Sequence, residues 1–228
     1  MLSRVPPEVD PMAIRLQQMH PALVHLPVAL LPLAVGADLL GRATGNQALL
    51  SFGQKAICVA AAGALGAVAS GLIAGEEVNV EGESRAMLIT HRNLNVFATL
   101  AATGMAIWRA THRRPSALYL GVGAAGVGIV AYTAFLGGKL VYDTGVGVEP
   151  AHGVYRADAP ALRAGQVRAF VKTAATDLVH GVQHMAQEVG KGQVVPTLVA
   201  AYRKRRTAPQ LDKTPVPDPH AASTTYLS

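Results

Sequence analysis

His20 and His25 stand five residues apart in the run His20-Pro21-Ala22-Leu23-Val24-His25-Leu26-Pro27, at the mouth of an apolar segment. Further on, His91 and Asn95 are four apart and would share one face of a helix. Imidazoles brought from two helices to similar depth can hold a haem iron from both sides, or join a carboxylate such as Glu76 or Glu77 around a transition metal. His25 and His91 are the expected ligand pair for haem b or a metal, with His20, Asn95, Tyr142 and Asp143 as supporting groups. A second chemistry is open for the same residues. Pro27 and Pro32 free the carbonyls of Leu23 and Val28 from helical bonding. In lipid such carbonyls need donors, which a histidine or Asn95 can supply.

The elements that must carry these groups are membrane spans. Half of the 228 residues are hydrophobic, 15% are charged and the mean hydropathy is +0.29, a balance far from that of an ordinary soluble domain. The apolar residues are bunched into four stretches, Leu23–Leu40, Ala56–Gly75, Leu94–Trp108 and Ala117–Leu136, with Asp38 as the one charged residue inside them. A span needs about 20 apolar residues. The third stretch is short and reaches that length only with His91, Arg92 and Asn95 in one interface and Trp108 and Arg109 anchoring the other. A soluble bundle would need a polar stripe on every helix, and Ala56–Gly75 has none. A polar ring in such a segment is expensive and points to function. The N-terminal twenty residues mix Arg4 and Arg15 with Glu8 and Asp10, unlike a cleavable signal peptide.

An up-down-up-down arrangement brings His20, His25, Glu76, Glu77, His91, Asn95, Lys139, Tyr142 and Asp143 to one membrane face. The opposite face holds mainly arginines, Trp108 and Asp38, which could pair along its own helix with Arg42. Basic residues without acids around the first and third connections place those on the cytoplasmic side and both termini outside. Small residues recur at Gly63, Ala67, Gly71 and Gly75, and again at Gly121, Ala124, Ala125 and Gly128, which favours close packing of helix backbones. Gly137-Gly138 is expected to end the fourth helix, with Lys139, Tyr142 and Asp143 covering the histidine end. Beyond it, Val167, Val171, Ala174, Leu178, Val182, Met185 and Val189 mark an amphipathic helix suited to a membrane surface or to packing on the bundle or a partner. His180 and His184 on that helix read as a solvated pair.

The ordered motifs His-Pro-x-x-Val-His-x-Pro, Asp38-Leu39-Leu40, His91-x-x-x-Asn95 and Gly-Gly-x-Leu-Val-Tyr-Asp with Gly-Val-Gly-Val resemble the bacterial membrane family called domain of unknown function 2231, over about residues 18–150. The resemblance implies a four-span membrane protein without an assigned activity. Similar domains joined to Rieske-type iron–sulfur or cytochrome modules imply electron transfer and an electron-transfer protein as partner. The family's polar positions fall on His20, His25, His91, Asn95, Lys139, Tyr142 and Asp143. Leu26 stands where an aromatic residue is frequent, and the acidic second loop lacks a tryptophan.

The expected protein is therefore all-α: an integral membrane four-helix bundle over 20–148, preceded by an N-terminal tail (1–19) and followed by an amphipathic helical extension (149–206) and a flexible end (207–228). It is placed in the lipid bilayer of the bacterial inner membrane, as a multi-pass protein. The net charge of +6 comes from loops and the Arg203-Lys204-Arg205-Arg206 cluster without aromatic interleaving, which argues against nucleic acid. No nucleophile elbow, P-loop, dinucleotide fingerprint or His-Glu-x-x-His helix is present. Two functions stay open, a haem- or metal-binding accessory to membrane electron transfer and a cofactor-free scaffold or small-molecule or ion carrier.

Overall fold

A computed structural model describes residues 14–78, 80–147, 160–163 and 165–207. Most of the expected N-terminal tail and the chain after Thr207 lie outside them. The described chain is all-α, with four long helices α1 (Leu16–Thr44), α2 (Gln47–Glu77), α3 (Gly82–Thr111) and α4 (Ala117–Tyr142), then α5 (Val167–Gly190) and α6 (Pro196–Thr207). The chain's β pairing is a two-residue antiparallel contact of Ile14–Arg15 with Ala161–Leu162, which ties the start of α1 to the segment before α5.

Each long helix packs on two others, in the ring α1–α2–α3–α4–α1. Three of the four are long and apolar enough to cross a membrane: Met19–Thr44, Gln47–Glu77 and Ala117–Tyr142. The exception is α3, the stretch already short in the sequence, because its first three turns carry Glu83, Arg85, His91, Arg92 and Asn93. All four helices outrun their apolar stretches. Arg42 and Lys55, expected in the first connection, lie inside α1 and α2. That connection is only Gly45-Asn46: Gly45 adopts φ 72°, and Asn46 caps α2 by accepting from the amides of Ala48 (2.9 Å) and Leu49 (3.3 Å).

The core follows from small residues. Ala34, Ile57, Ala60, Ala102 and Met105 are fully buried between α1, α2 and α3, with Leu31 and Tyr119 beside them. Helix α1 continues through Pro21, Pro27 and Pro32. A methyl on Gly63 would meet the Cβ of Leu26 at 2.6 Å and one on Gly123 would meet Val35 at 2.6 Å, so the α1–α2 and α1–α4 contacts depend on bare backbone. The ridge Gly63, Ala67, Gly71 does face α1. In α4 the packed small residues are Gly123 and Gly126, whereas Gly121 and Gly128 have no neighbour within 4 Å of a would-be Cβ. Spacing alone did not tell which of the two faces of α4 was inward.

Helices α5 and α6 dock on the α2–α3 corner. Glu188 accepts from Arg85 at 3.1 Å and from Arg92, His184 pairs with Glu76 at 2.9 Å, and the Asn93 amide donates to the carbonyls of Gln193 (3.2 Å) and Val194 (2.9 Å). Because Glu188 holds two guanidinium groups in a partly buried site, Glu188→Ala should loosen the extension by about 1–2 kcal/mol, seen as trypsin cleavage between Lys191 and Arg206 about tenfold faster. Unchanged cleavage would show that the amide contacts of Asn93 suffice.

Candidate functional site

Two polar layers cross the helix ring, and one spacing builds both. His20 and Asp38 on α1, Gly53 and Gly71 on α2, His91 and Arg109 on α3, and Tyr119 and Gly137 on α4 are each eighteen residues apart. Eighteen residues are about five turns, so the two members of each pair face the same way about 27 Å apart along the axis. That separation is close to the hydrocarbon thickness of a bilayer.

In the first layer each histidine is held by the neighbouring helix in the same manner. His20 Nδ1 donates to the carbonyl of Ala67 at 3.0 Å, with Ser70 Oγ at 3.1 Å, and the ring lies on Gly71, where a methyl would meet Cε1 at 2.9 Å. His91 Nδ1 donates to the carbonyl of Thr133 at 2.9 Å, and its ring lies on Gly137, where a methyl would meet Cε1 at 3.1 Å. The glycine follows the accepting carbonyl by four residues, one turn, in both hairpins. Donation from Nδ1 leaves Nε2 of each ring as the acceptor. For His91 that acceptor is used: Asn95 Nδ2 approaches it at 3.2 Å, and Asn95 Oδ1 accepts from Thr133 Oγ1 at 3.0 Å, closing a loop between α3 and α4.

The expected partner of His91 was His25, whereas the histidine of α1 that faces into the bundle is His20. Five residues turn a helix by about 140°, so His25 cannot share the inward face of His20. It is exposed, and its Nδ1 turns back to the carbonyl of Pro21 rather than reaching the carbonyls freed by Pro27 and Pro32. Tyr142 is 88% exposed, and Asp143 pairs with Lys139 at 3.2 Å on the surface, so neither covers the histidine layer. Gly137-Gly138 does not end α4, which runs on to Tyr142 and closes through Gly145 at φ 66°. Gly137 is there to seat a ring. Glu76 is engaged by His184, which belongs to a pair expected to be solvated, and Glu77 is buried.

The second layer is a buried ion pair. Arg109 and Asp38 are both fully buried, joined by Nη2 to Oδ1 at 2.8 Å and Nε to Oδ2 at 3.1 Å. The remaining donors of Arg109 reach the carbonyls of Leu50 (2.7 Å) and His112 (2.6 Å). Gly53 leaves room for the carboxylate, since a methyl there would stand 2.5 Å from Asp38 Oδ1. Tyr119 lies within electrostatic reach of both charges and stacks on Trp108 at 5.1 Å, with His112 on the same indole at 4.1 Å. The expected Asp38–Arg42 pair does not form; Arg42 donates to the carbonyl of Pro115 at 2.7 Å. Arg109, expected as an anchor in the interface, lies inside the bundle. The eighteen-residue spacing shared by both hairpins is the signal that would have moved it inward.

The donor set sets limits on a cofactor. Among the described residues no group of three or more His, Cys, Asp or Glu gathers as a metal site, whereas a pair of imidazoles such as His20 and His91 matches the residues that would hold a b-type haem in kind. His91 would have to exchange its Asn95 contact for iron.

The family described as "Predicted membrane protein (DUF2231)" matches residues 17–150, the part of the chain that contains both layers. No curated protein and no solved structure matches the chain.

Proposed function

Because the chain belongs to the family of predicted membrane proteins termed DUF2231, we propose that it works as a cofactor-free scaffold, a multi-pass protein of the bacterial inner membrane. Residues 20–148 would form its transmembrane domain, which holds helices α5 and α6 of the 149–206 extension at one membrane face. The observation that carries this reading is the His91 network, in which both ring nitrogens are engaged by protein groups and the ring is seated on Gly137. Such a histidine is built as a clamp between helices. The matching grip of His20 on α2, and a second polar layer about 27 Å away, extend the same logic to both ends of the bundle.

A second reading is favoured by a different feature. A histidine that ligates a metal usually donates its other ring nitrogen to a carbonyl or carboxylate, and His20 and His91 both donate Nδ1 to carbonyls. On this reading the two would hold haem b or a transition metal in an accessory to an electron-transfer protein, with Asn95 as a supporting group. His25 would have to turn in from the outer face to serve as a ligand.

An absorption spectrum of the detergent-purified protein, oxidised and dithionite-reduced, from cells supplied with haem precursor, separates the two. Metal analysis is run on the same sample. The scaffold predicts a featureless, metal-free spectrum from folded protein. Sharp reduced bands at stoichiometric occupancy, lost in His20→Ala and His91→Ala, would overturn it in favour of the redox accessory.

A further inference from the structure

Helix α5 has three differently occupied sides. Its packed side is Asp177, Gly181 and Glu188, all buried. The valine stripe of Val167, Val171, Val182 and Val189 is exposed, at 57%, 56%, 45% and 43%, and lies about 100° round the helix from the packed side. The expected amphipathic face is therefore split, with Ala174, Leu178 and Met185 half-buried beside the packed side and the four valines left outside. Opposite the valines stand Thr176 and Gln187, both exposed.

The direction of the valine stripe follows from the contacts beside it. His184 pairs with Glu76 at the polar end of α2, while Gly181 sits against the backbone of Leu72, one turn deeper, where a methyl would meet the carbonyl oxygen at 2.9 Å. Going round α5 from His184 through Gly181 leads next to the valines, so the stripe points further toward the apolar belt. Both acids of α5 are turned into the protein, whereas Arg168 and Lys172 are exposed on the flank beyond the stripe. Long basic side chains at such a flank can extend to headgroups while their stems cover apolar surface.

We propose that the outer surface of α5 lies in the interface of the bilayer that the bundle spans, with the valines in the acyl boundary and Arg168 and Lys172 on anionic phospholipid headgroups. The occupant is lipid because the stripe continues the apolar surface of membrane-spanning helices, and because its charged border is cationic only. The proposal does not depend on whether the bundle holds a cofactor.

The test uses the full chain with Cys58→Ser, reconstituted in phosphatidylcholine–phosphatidylglycerol vesicles. Nitroxide labels are placed singly at Val171→Cys, Val182→Cys, Thr176→Cys and Gln187→Cys, and collision with oxygen is compared with collision with a water-soluble nickel chelate. Oxygen should dominate at 171 and 182 and nickel at 176 and 187, with the oxygen-to-nickel ratio differing several-fold between the two pairs. In Arg168→Gln/Lys172→Gln protein the ratio at 171 should fall toward unity. Nickel access at 171 and 182 equal to that at 176 and 187 would overturn the proposal, and so would shielding of 171 and 182 from both reagents, which would mean a protein partner or second copy. The labels on the polar side monitor folding, since each substitution lies outside the packed face.

Discussion

Arg109→Ala is expected to be the most damaging single substitution in the chain, at about 3–5 kcal/mol, because it leaves the carboxylate of Asp38 buried without its partner. Asp38 is fully enclosed, with its carboxylate lying directly against Gly53 of α2, so relaxation toward water is not available to it. Asp38→Ala should cost a comparable amount by stranding the guanidinium. The double variant Asp38→Leu/Arg109→Met should recover much of the loss, since an apolar pair of similar volume replaces buried charges at little net cost. Recovery will be partial because the carbonyls of Leu50 and His112 also lose a donor. Trp108, the only tryptophan in the chain, is stacked on Tyr119 and His112 beside the pair and reports the melt directly by its emission in detergent. Single variants that melt with the parent protein would show that the charges are solvated, and the second layer would no longer be a structural lock.

Removing both histidine clamps is expected to have the next largest effect. His91→Ala removes the cross-helix bond to Thr133 and one of the two partners of the Asn95 amide, which keeps the backbone carbonyl of residue 91, and His20→Ala removes the cross-helix bond to Ala67, whose carbonyl keeps Ser70 Oγ. Each should cost about 1–3 kcal/mol, toward the low end if the membrane-unfolded helices find other partners. The two grip different hairpins within one layer, so the double variant is the one to compare with the sum. His25→Ala should lie within about 0.5 kcal/mol of the parent, as expected of an exposed position. These melts also bear on function. If His25→Ala destabilised the protein as much as His91→Ala, the outward placement of His25 and the clamp reading would both fail.

Much of this protein is legible from hydropathy and local spacing. The four apolar stretches appear as helices, and the weakness of the third is real, because a membrane segment needs apolar length and α3 begins with charges. The resemblance carried by the histidine, asparagine and glycine motifs is matched by the family over residues 17–150. Which ends of the helices meet was also readable, because an antiparallel ring dictates it, but the sequence put polar chemistry at one end and the structure has a buried polar layer at each. The sharing of one helix face by His91 and Asn95 follows directly from a four-residue interval.

What local spacing could not supply is which polar group meets which. His20 and His25 look equivalent as neighbours in a motif, and only the helix ring shows that a rotation of about 140° sends one inward and the other out. Asp38 had a plausible partner four residues away in Arg42, but burial excludes water from the bundle and favours the bidentate fork of Arg109, seventy-one residues distant. Gly137 read as a helix terminator because glycine ends helices elsewhere, whereas its lack of a side chain is needed here to seat an imidazole. The apolar face of α5 left a membrane surface and packing on the bundle or a partner both open, and the bundle holds the side bearing Asp177 and Glu188, where Glu188 meets Arg85 and Arg92. Apolar length and helix number are properties of composition and period, carried by each segment independently. The two locks are properties of pairs of helices, and a pair has no geometry until the chain has folded.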